Sequence, residues 1–133
     1  MNLNEIRAKI QVPPNLNDAY RRIVVAGMKV MFDKSTHQMM VDALSKPGPL
    51  GKKIGEGVAG LLLLLLKKSK NMPQELLIPA GVEFVLQAFE YVQKTGMAGA
   101  TDQDLGVAME VMIETLMKAS GADMNKWGEL TAQ

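Results

Sequence analysis

The chain has 133 residues, the length of one ordinary domain, and its 47% hydrophobic content is enough to form one core. Charged residues make up 22% and the net charge is +1, which excludes a disordered charged tail and gives no reason to expect nucleic-acid binding. Cysteine is absent, so disulfides, thiolate catalysis and cysteine-ligated zinc are excluded, and any histidine chemistry would depend on His37 alone.

Charge is unevenly distributed along the chain. Residues 1–70 contain 12 Lys and Arg against 5 Asp and Glu, a balance of +7. Residues 71–133 contain 3 against 9, a balance of −6. Two arrangements fit this pattern: the two halves face each other inside one molecule, or the basic surface of one copy meets the acidic surface of the next.

The N-terminal part is expected to form an arm over residues 1–14 that ends at Pro13-Pro14. Charged residues interrupt its apolar positions, so a signal peptide is not expected. Asn15 is predicted to cap a helix over about 16–33, where apolar or small residues recur at the i, i+3, i+4, i+7 spacing of an amphipathic helix.

A second helix is predicted over about 36–45. Ser35 opens it with Gln38 three residues later, which is the capping-box pattern, and the run Pro47-Gly48-Pro49 ends it.

The next helix is predicted over about 50–69 and contains six consecutive leucines, Leu61 to Leu66. Six leucines in a row cover the whole circumference of a helix, so this helix must be surrounded by protein or by lipid. The apolar run Val58 to Leu66 has nine residues, whereas a bilayer span needs about 20. A buried helix is therefore favoured.

Lysines stand at both ends of this leucine helix. Their side chains can reach anionic lipid headgroups, or they can simply be solvated ends of a core helix. The candidate membrane or partner contacts are Lys52, Lys53, Leu61, Leu62, Leu63, Leu64, Leu65, Leu66, Lys67, Lys68 and Lys70.

Two further amphipathic helices are predicted over 74–95 and 102–120. In the first, the polar face is expected to carry Glu83, Gln87, Glu90 and Lys94, with Glu90 and Lys94 as an i,i+4 pair. The second is expected to begin at a capping-box variant of Thr101 and Asp104. Its polar stripe is narrow and comprises Gln103, Gly106, Glu110, Glu114 and Lys118.

No segment alternates between apolar and polar residues with period two, so no sheet is expected. The sequence therefore predicts an all-α, bundle-like single domain of four to five helices over residues 15–121. A polar C-terminal tail with Trp127 is predicted to follow over residues 122–133.

Two glycine-containing motifs resemble nucleotide-binding or phosphate-binding loops, but the surrounding sequence does not fit either kind of site. Gly55 to Gly60 has the form G-x-G-x-x-G but no strand precedes it, so dinucleotide binding is not expected. Its glycines, together with Gly51, instead indicate close packing against another helix, and Gly60 is expected to extend this small-residue surface. The run Gly48 to Lys52 lacks the spacing of a phosphate loop.

No complete catalytic constellation is present. Glu110 and Glu114 lie one helical turn apart, but Lys118 continues the same stripe, which favours a solvated face. His37 is interpreted as an exposed or cap-associated residue. The sequence thus predicts no enzyme, no catalytic or metal-binding residue and no cofactor.

Two stretches, Val12 to Leu16 and Ile23 to Phe32, resemble a group of small virion proteins of tailed phages. The resemblance continues through Lys46 to Leu50, the glycine-rich entry into the leucine run, and Ile78 to Gly81, so that it extends over about residues 12–120. Such proteins are internal or ejection proteins of short-tailed bacteriophages, carried in the virion and released with the genome. The resemblance rests on the order of these pieces and implies no enzymatic residues.

This resemblance implies a structural component of the virion. Self-association is predicted from the residues themselves, because the apolar flanks of the 102–120 helix need neighbours on more than one side and the basic and acidic halves can meet between copies. The expected partners are further copies of the chain in a ring-like homo-oligomer, other virion proteins and, after ejection, lipids of the bacterial envelope; no sequence-specific nucleic acid is expected. Two alternatives stay open: a holin-like protein that permeabilises membranes, and a soluble helical adaptor or assembly chaperone.

Overall fold

The computed structural model describes residues 3–45, 47–68, 73–95 and 101–120, and these ranges contain helices and no strand. A short N-terminal helix precedes five helices of at least 12 residues: α1 (Leu3–Ala8), α2 (Asn17–Met31), α3 (Lys34–Ser45), α4 (Leu50–Lys68), α5 (Leu77–Thr95) and α6 (Asp102–Ser120). Single 3-10 turns, Pro14–Leu16 and Gln74–Leu76, lead into α2 and α5. The predicted all-α fold is confirmed.

Helices α4, α5 and α6 form the centre of the molecule, and α4 makes its most extensive contact with α6. Helix α2 packs against α4 and α5, α3 packs against α4, and α1 lies across α5. The largest fully buried side chains are Leu62, Leu76, Phe84, Val85, Leu86, Phe89, Val92, Met112 and Leu116. Five of the nine belong to α5, which is therefore the most deeply buried helix.

Two glycines bring α4 against α6. A Cβ atom at Gly51 would lie 2.5 Å from the carbonyl oxygen of Asp104, and one at Gly55 would lie 2.5 Å from that of Ala108. Both glycines advance along α4 in the same direction as their partners advance along α6, so the helices run parallel at this contact. The close packing predicted from Gly51 and Gly55 is confirmed, because only a residue without a side chain lets the backbones approach so closely.

The predicted contribution of Gly60 to this surface is wrong. Gly60 is exposed, and a Cβ atom there would have no neighbour within 4 Å. Since Gly60 is five residues after Gly55, the helical period of 3.6 residues turns it about 140° away from the contact with α6.

Glycines also set the contacts of α5 with its neighbours. Gly27 of α2 lies directly against the ring of Phe84, and Gly81 lies against Met112 of α6 and Leu62 of α4. At both glycines, large side chains of a neighbouring helix pack into the space that the missing side chain leaves.

The start of α2 differs from its prediction. Asn15 lies inside the 3-10 turn, and Leu16 is the N-cap residue, with no side-chain hydrogen bond to the helix. The turn begins at Pro14 because proline lacks an N–H and its fixed φ suits the first position of a helix. The backbone therefore begins to coil before Asn15 can act as a cap.

The two predicted capping boxes have different outcomes. At α6, the Asp104 N–H donates to Thr101 Oγ1 at 3.2 Å, and the Thr101 N–H donates to Asp104 Oδ2 at 3.1 Å, so that box is confirmed. Helix α3 begins at Lys34, which places Ser35 inside the helix. Gln38 donates instead to Asp42 Oδ1, one turn later, at 3.0 Å. The predicted tail over residues 122–133 and the predicted end of the domain at residue 121 lie outside the described residues.

Candidate functional site

A cluster of charged side chains joins α1 to α5. Arg7 Nε donates to Glu83 Oε1 at 2.8 Å and to Glu83 Oε2 at 3.0 Å. The same guanidinium donates through Nη2 to Glu90 Oε1 and through Nη1 to Asn4 Oδ1, the latter at 3.1 Å. One cation of the basic half is therefore bound by two carboxylates of the acidic half.

Glu83 belongs to the predicted polar face of α5, but this part of the face is covered, since only 8% of the residue is exposed. Helix α1 covers this part of α5, where its Leu3 is buried in the core. The predicted pair of Glu90 with Lys94 is wrong: in the described part of the chain Glu90 pairs with Arg7. The burial of Glu83 and the pairing of Glu90 with Arg7 have one cause, which is the docking of α1 from a distant part of the sequence.

The cluster influences the ionisation of its neighbours. Hydrogen bonding to Glu83 raises the pKa of Arg7 above its usual range, although partial burial acts in the opposite direction. Burial raises the pKa of Tyr20 to about 12, and the negative charge of Glu83 acts in the same direction. Arg7 therefore stays charged at any accessible pH, and Tyr20 stays neutral in all but strongly alkaline solution.

A cleft of about 430 Å³ opens beside this cluster, between α2 and α5. Its lining combines apolar residues of α2 with polar residues of α5 and α1: Val24, Met28 and Phe32, then Glu83, Gln87, Glu90, Tyr91 and Lys94, and Arg7. Gln87 Nε2 donates to Glu83 Oε2 at 3.2 Å, whereas the buried Gln87 Oε1 has no hydrogen-bond partner among the described residues. Four of the nine lining residues are charged, two of each sign, so the charges of the cleft balance.

The outer face of α2 is apolar at its centre. Val25, Met28 and Phe32 are 50%, 40% and 48% exposed, and their i, i+3, i+7 spacing places them in one stripe. Arg21, Arg22 and Lys29 are also exposed on this face. We call these six residues, with Asp18 at the N-terminal end, the α2 face.

Sequence reasoning missed the α2 face. The predicted apolar side of this helix includes the buried residues Ile23, Gly27 and Met31, which do face the core. Val25 and Phe32 fall outside that side, and they could have been found as apolar residues left over once the core face had been assigned.

The outer face of α6 is acidic. Gln103, Gly106, Glu110, Glu114 and Lys118 are all exposed, so the predicted narrow polar stripe is confirmed. Val107 adjoins it and is 36% exposed. We call these six residues the α6 face.

The six leucines of α4 have unequal environments. Leu62 and Leu65 are buried, three others are partly buried against the core, and Leu64 is 39% exposed. Protein therefore surrounds most of the run, and the residue that it leaves open is Leu64.

The flanking lysines of α4 also differ. Lys52, Lys67 and Lys68 are exposed, whereas Lys53 Nζ donates to the Leu44 carbonyl oxygen at 2.9 Å and so fastens the end of α3 to α4. Lys70 lies outside the described residues. The ten candidate contacts that the structure describes thus lie in one helix, but they are divided among core, surface and a structural contact.

Three other features would indicate a function: a metal-binding cluster, a histidine site and a membrane-spanning helix. Among the described residues, no three His, Asp or Glu side chains converge as metal ligands. His37 lies in α3, and its side chain is not among those described. Within the same ranges, no helix has the length and apolar character that are needed to cross a bilayer.

Comparison with known proteins adds no relative. No protein-family model matches the chain, and neither a curated protein nor a solved structure is significantly similar to it.

Proposed function

We propose that this protein is a non-enzymatic structural component of a virion, of the internal or ejection type found in short-tailed phages, and that its copies assemble with one another. The observation that carries self-assembly is the exposed apolar stripe of Val25 and Met28 on α2 with Phe32 at its C-cap, whereas the virion role is supported by the resemblance of the sequence pattern. Contiguous apolar surface with a charged border is typical of protein–protein contacts.

The helical fold suits this role. Helix α6 buries one side against α4 and α5, yet Met109, Ile113 and Met117 on its flank are only partly buried. Helices with wide apolar arcs are stabilised by neighbours on more than one side, and further copies of the chain supply such neighbours. The order of sequence pieces that resembles internal virion proteins agrees with an assembly role.

Two measurements test the proposal. Mass spectrometry of purified virions, from a phage that encodes this chain, is expected to detect the protein in the particle. Light scattering of the isolated protein is expected to give a mass above the 14.5 kDa of one chain. Absence from the virion would favour a soluble adaptor or assembly chaperone, and a strictly monomeric protein at high concentration would contradict self-assembly.

A second candidate is contact with the host envelope after ejection, including a holin-like action. The observation that favours it is the position of Lys52, Lys67 and Lys68, exposed at the two ends of an apolar helix. Each basic residue near an anionic membrane contributes about 1 kcal/mol to binding. Because Leu62 and Leu65 are buried, α4 has to separate from the core before these leucines can meet lipid.

Flotation with anionic liposomes tests this second candidate. Neutralisation of the three exposed lysines (Lys52→Gln, Lys67→Gln and Lys68→Gln) is expected to weaken binding, whereas liposomes of neutral lipid are expected to bind little of either protein. Lys53 is left unchanged in this variant because it bonds to Leu44. Equal binding by both proteins, or no binding by the native protein, would leave the leucine run as core alone.

A further inference from the structure

Two exposed helix faces carry opposite charge. The α2 face has three cationic side chains, Arg21, Arg22 and Lys29, against one carboxylate, Asp18, around the apolar Val25 and Phe32. The α6 face has two carboxylates, Glu110 and Glu114, against one cation, Lys118. Each face thus combines an apolar or flat centre with one dominant sign of charge.

These two faces cannot meet within one molecule. The buried side of α2, which includes Ile23 and Gly27, and the buried side of α6, which includes Ala108 and Met112, both pack towards α4 and α5. In the described ranges α2 and α6 share no substantial contact with each other. Their outer faces therefore point away from the common core, and the residues described on them are exposed, so a second copy can reach them.

We propose that the α2 face of one copy packs on the α6 face of a second copy. This inference rests on the proposed self-assembly and names the surfaces that perform it. Opposite charges attract across such a contact and set its direction, whereas a contact between two α2 faces would place cations against cations. The acidic α6 face is therefore the better partner for α2.

The shapes of the two faces also agree. Gly106 is exposed, and a Cβ atom at this position would have no neighbour within 4 Å, so the surface of α6 is flat beside Val107. A glycine on an outer helix face allows a second helix to approach closely. The exposed ring of Phe32 and the methyl groups of Val25 can be covered there, and this burial supplies most of the affinity because charges at a contact rim are screened within about 8–10 Å in ordinary salt.

The contact is heterologous, since it joins two different faces. Each copy keeps one free α2 face or one free α6 face after pairing, so association continues until a ring closes or a filament grows. A closed ring agrees with placement around an axial channel of a virion.

Charge reversal tests the pairing directly. The α2-reversed variant (Arg21→Glu, Arg22→Glu and Lys29→Glu) and the α6-reversed variant (Glu110→Lys and Glu114→Lys) are each expected to weaken self-association by about tenfold or more, measured by sedimentation, since several attractive rim pairs become repulsive together. The chain that carries both reversals is expected to associate again, because its two faces regain opposite charge.

A matched control for the α2-reversed variant carries the same change in net charge on another surface. The variant with Lys52→Glu, Lys67→Glu and Lys68→Glu reverses three exposed lysines of α4 and is expected to associate like the native chain. A fifth variant, Val25→Ser with Phe32→Ser, is expected to weaken association in low and in high salt alike. Circular dichroism of every variant verifies that the fold is retained.

The outcomes separate this inference from the proposed function. If the native chain associates but neither reversal weakens it, or the double reversal fails to restore it, the α2–α6 pairing is wrong and self-assembly by another surface stands. If the native chain is monomeric at all concentrations, both are wrong.

Discussion

Arg7 and Glu83 are 76 residues apart in the chain, yet the guanidinium of one donates to both carboxylate oxygens of the other. This contact fastens α1 to α5 and neutralises a carboxylate that is almost fully buried. Arg7→Met is expected to lower the free energy of unfolding by about 2–3 kcal/mol, because it leaves Glu83 as an unpaired buried charge while Arg7 itself is partly exposed. Urea denaturation measures the loss.

Two comparisons show whether the loss comes from this charge. The double variant Arg7→Met with Glu83→Gln is expected to be more stable than Arg7→Met alone, because the buried charge is gone. Lys9→Met, at an exposed position just after α1, is expected to change stability by less than about 0.5 kcal/mol. Equal losses for Arg7→Met and Lys9→Met would show that the Arg7–Glu83 pair contributes nothing.

The helices could be predicted from the sequence because the local spacing of apolar residues and of capping residues determines them. The spacing of apolar residues located α2 to α6, and the reciprocal bonds of Thr101 and Asp104 required only residues three apart. The close approach of Gly51 and Gly55 could be predicted from their spacing, although which helix packs against them could not.

The candidate site could be predicted from the sequence only in part, because the Arg7–Glu83 cluster depends on contacts between distant segments. Glu83 occupies a polar position of an amphipathic helix, and nothing within α5 indicates that α1 covers it. The α2 face is a different case, because Val25 and Phe32 lie outside the side of α2 that carries Ile23, Gly27 and Met31, and they could have been identified as surplus apolar residues once that side had been assigned.

The close contact of α4 with α6 predicts opposite effects for two glycines of the same helix. Gly55→Ala is expected to destabilise the fold by about 2–3 kcal/mol, because its Cβ atom would meet the backbone of Ala108, which cannot move aside without shifting α6. Gly57→Ala is expected to stabilise it by about 0.5–1 kcal/mol, since Gly57 is exposed and alanine is the better helix former. Thermal unfolding of both variants gives the signs, and a gain at both positions would refute the close packing.

The contact of α2 with α5 leads to a suppressor experiment. Gly27→Ala is expected to cost about 2 kcal/mol, because the new methyl group meets the ring of the fully buried Phe84. Phe84→Leu alone leaves a partial cavity and also destabilises. Together the two changes are expected to cost less than the sum of the single losses, since the methyl group occupies space that the ring has vacated. Additive losses in urea denaturation would mean that the two positions do not share this space.

The leucine run predicts unequal effects for neighbouring residues of one type. Leu62→Ala is expected to lower the free energy of unfolding by about 3 kcal/mol, because Leu62 is fully buried and the surrounding side chains cannot close the cavity completely. Leu64→Ala is expected to cost less than about 1 kcal/mol, since Leu64 is 39% exposed. Chemical denaturation of the two variants checks the difference. Similar losses at both positions would contradict the orientation of α4.

The raised pKa of Tyr20 predicts a loss of stability in alkaline solution. Tyr20 has a pKa of about 12 in the folded protein because it is partly buried and lies near Glu83, whereas a tyrosine in the unfolded chain ionises near pH 10. Below about pH 10 both states keep the proton, so Tyr20 adds no pH dependence. Between about pH 10 and pH 12 the unfolded state releases its proton and the folded state does not, so the free energy of unfolding falls as the pH rises.

Tyr20→Phe isolates the contribution of this one phenol group. Because phenylalanine has no ionisable group, the variant is expected to lose less stability than the native chain between about pH 10 and pH 12, while the two curves run in parallel below that window. Urea denaturation at a series of pH values measures both curves. An ultraviolet titration supplies a second readout, because the chain has two tyrosines and the variant is expected to lack the one that ionises near pH 12. Identical pH dependence in the two proteins would contradict the raised pKa of Tyr20 in the folded state.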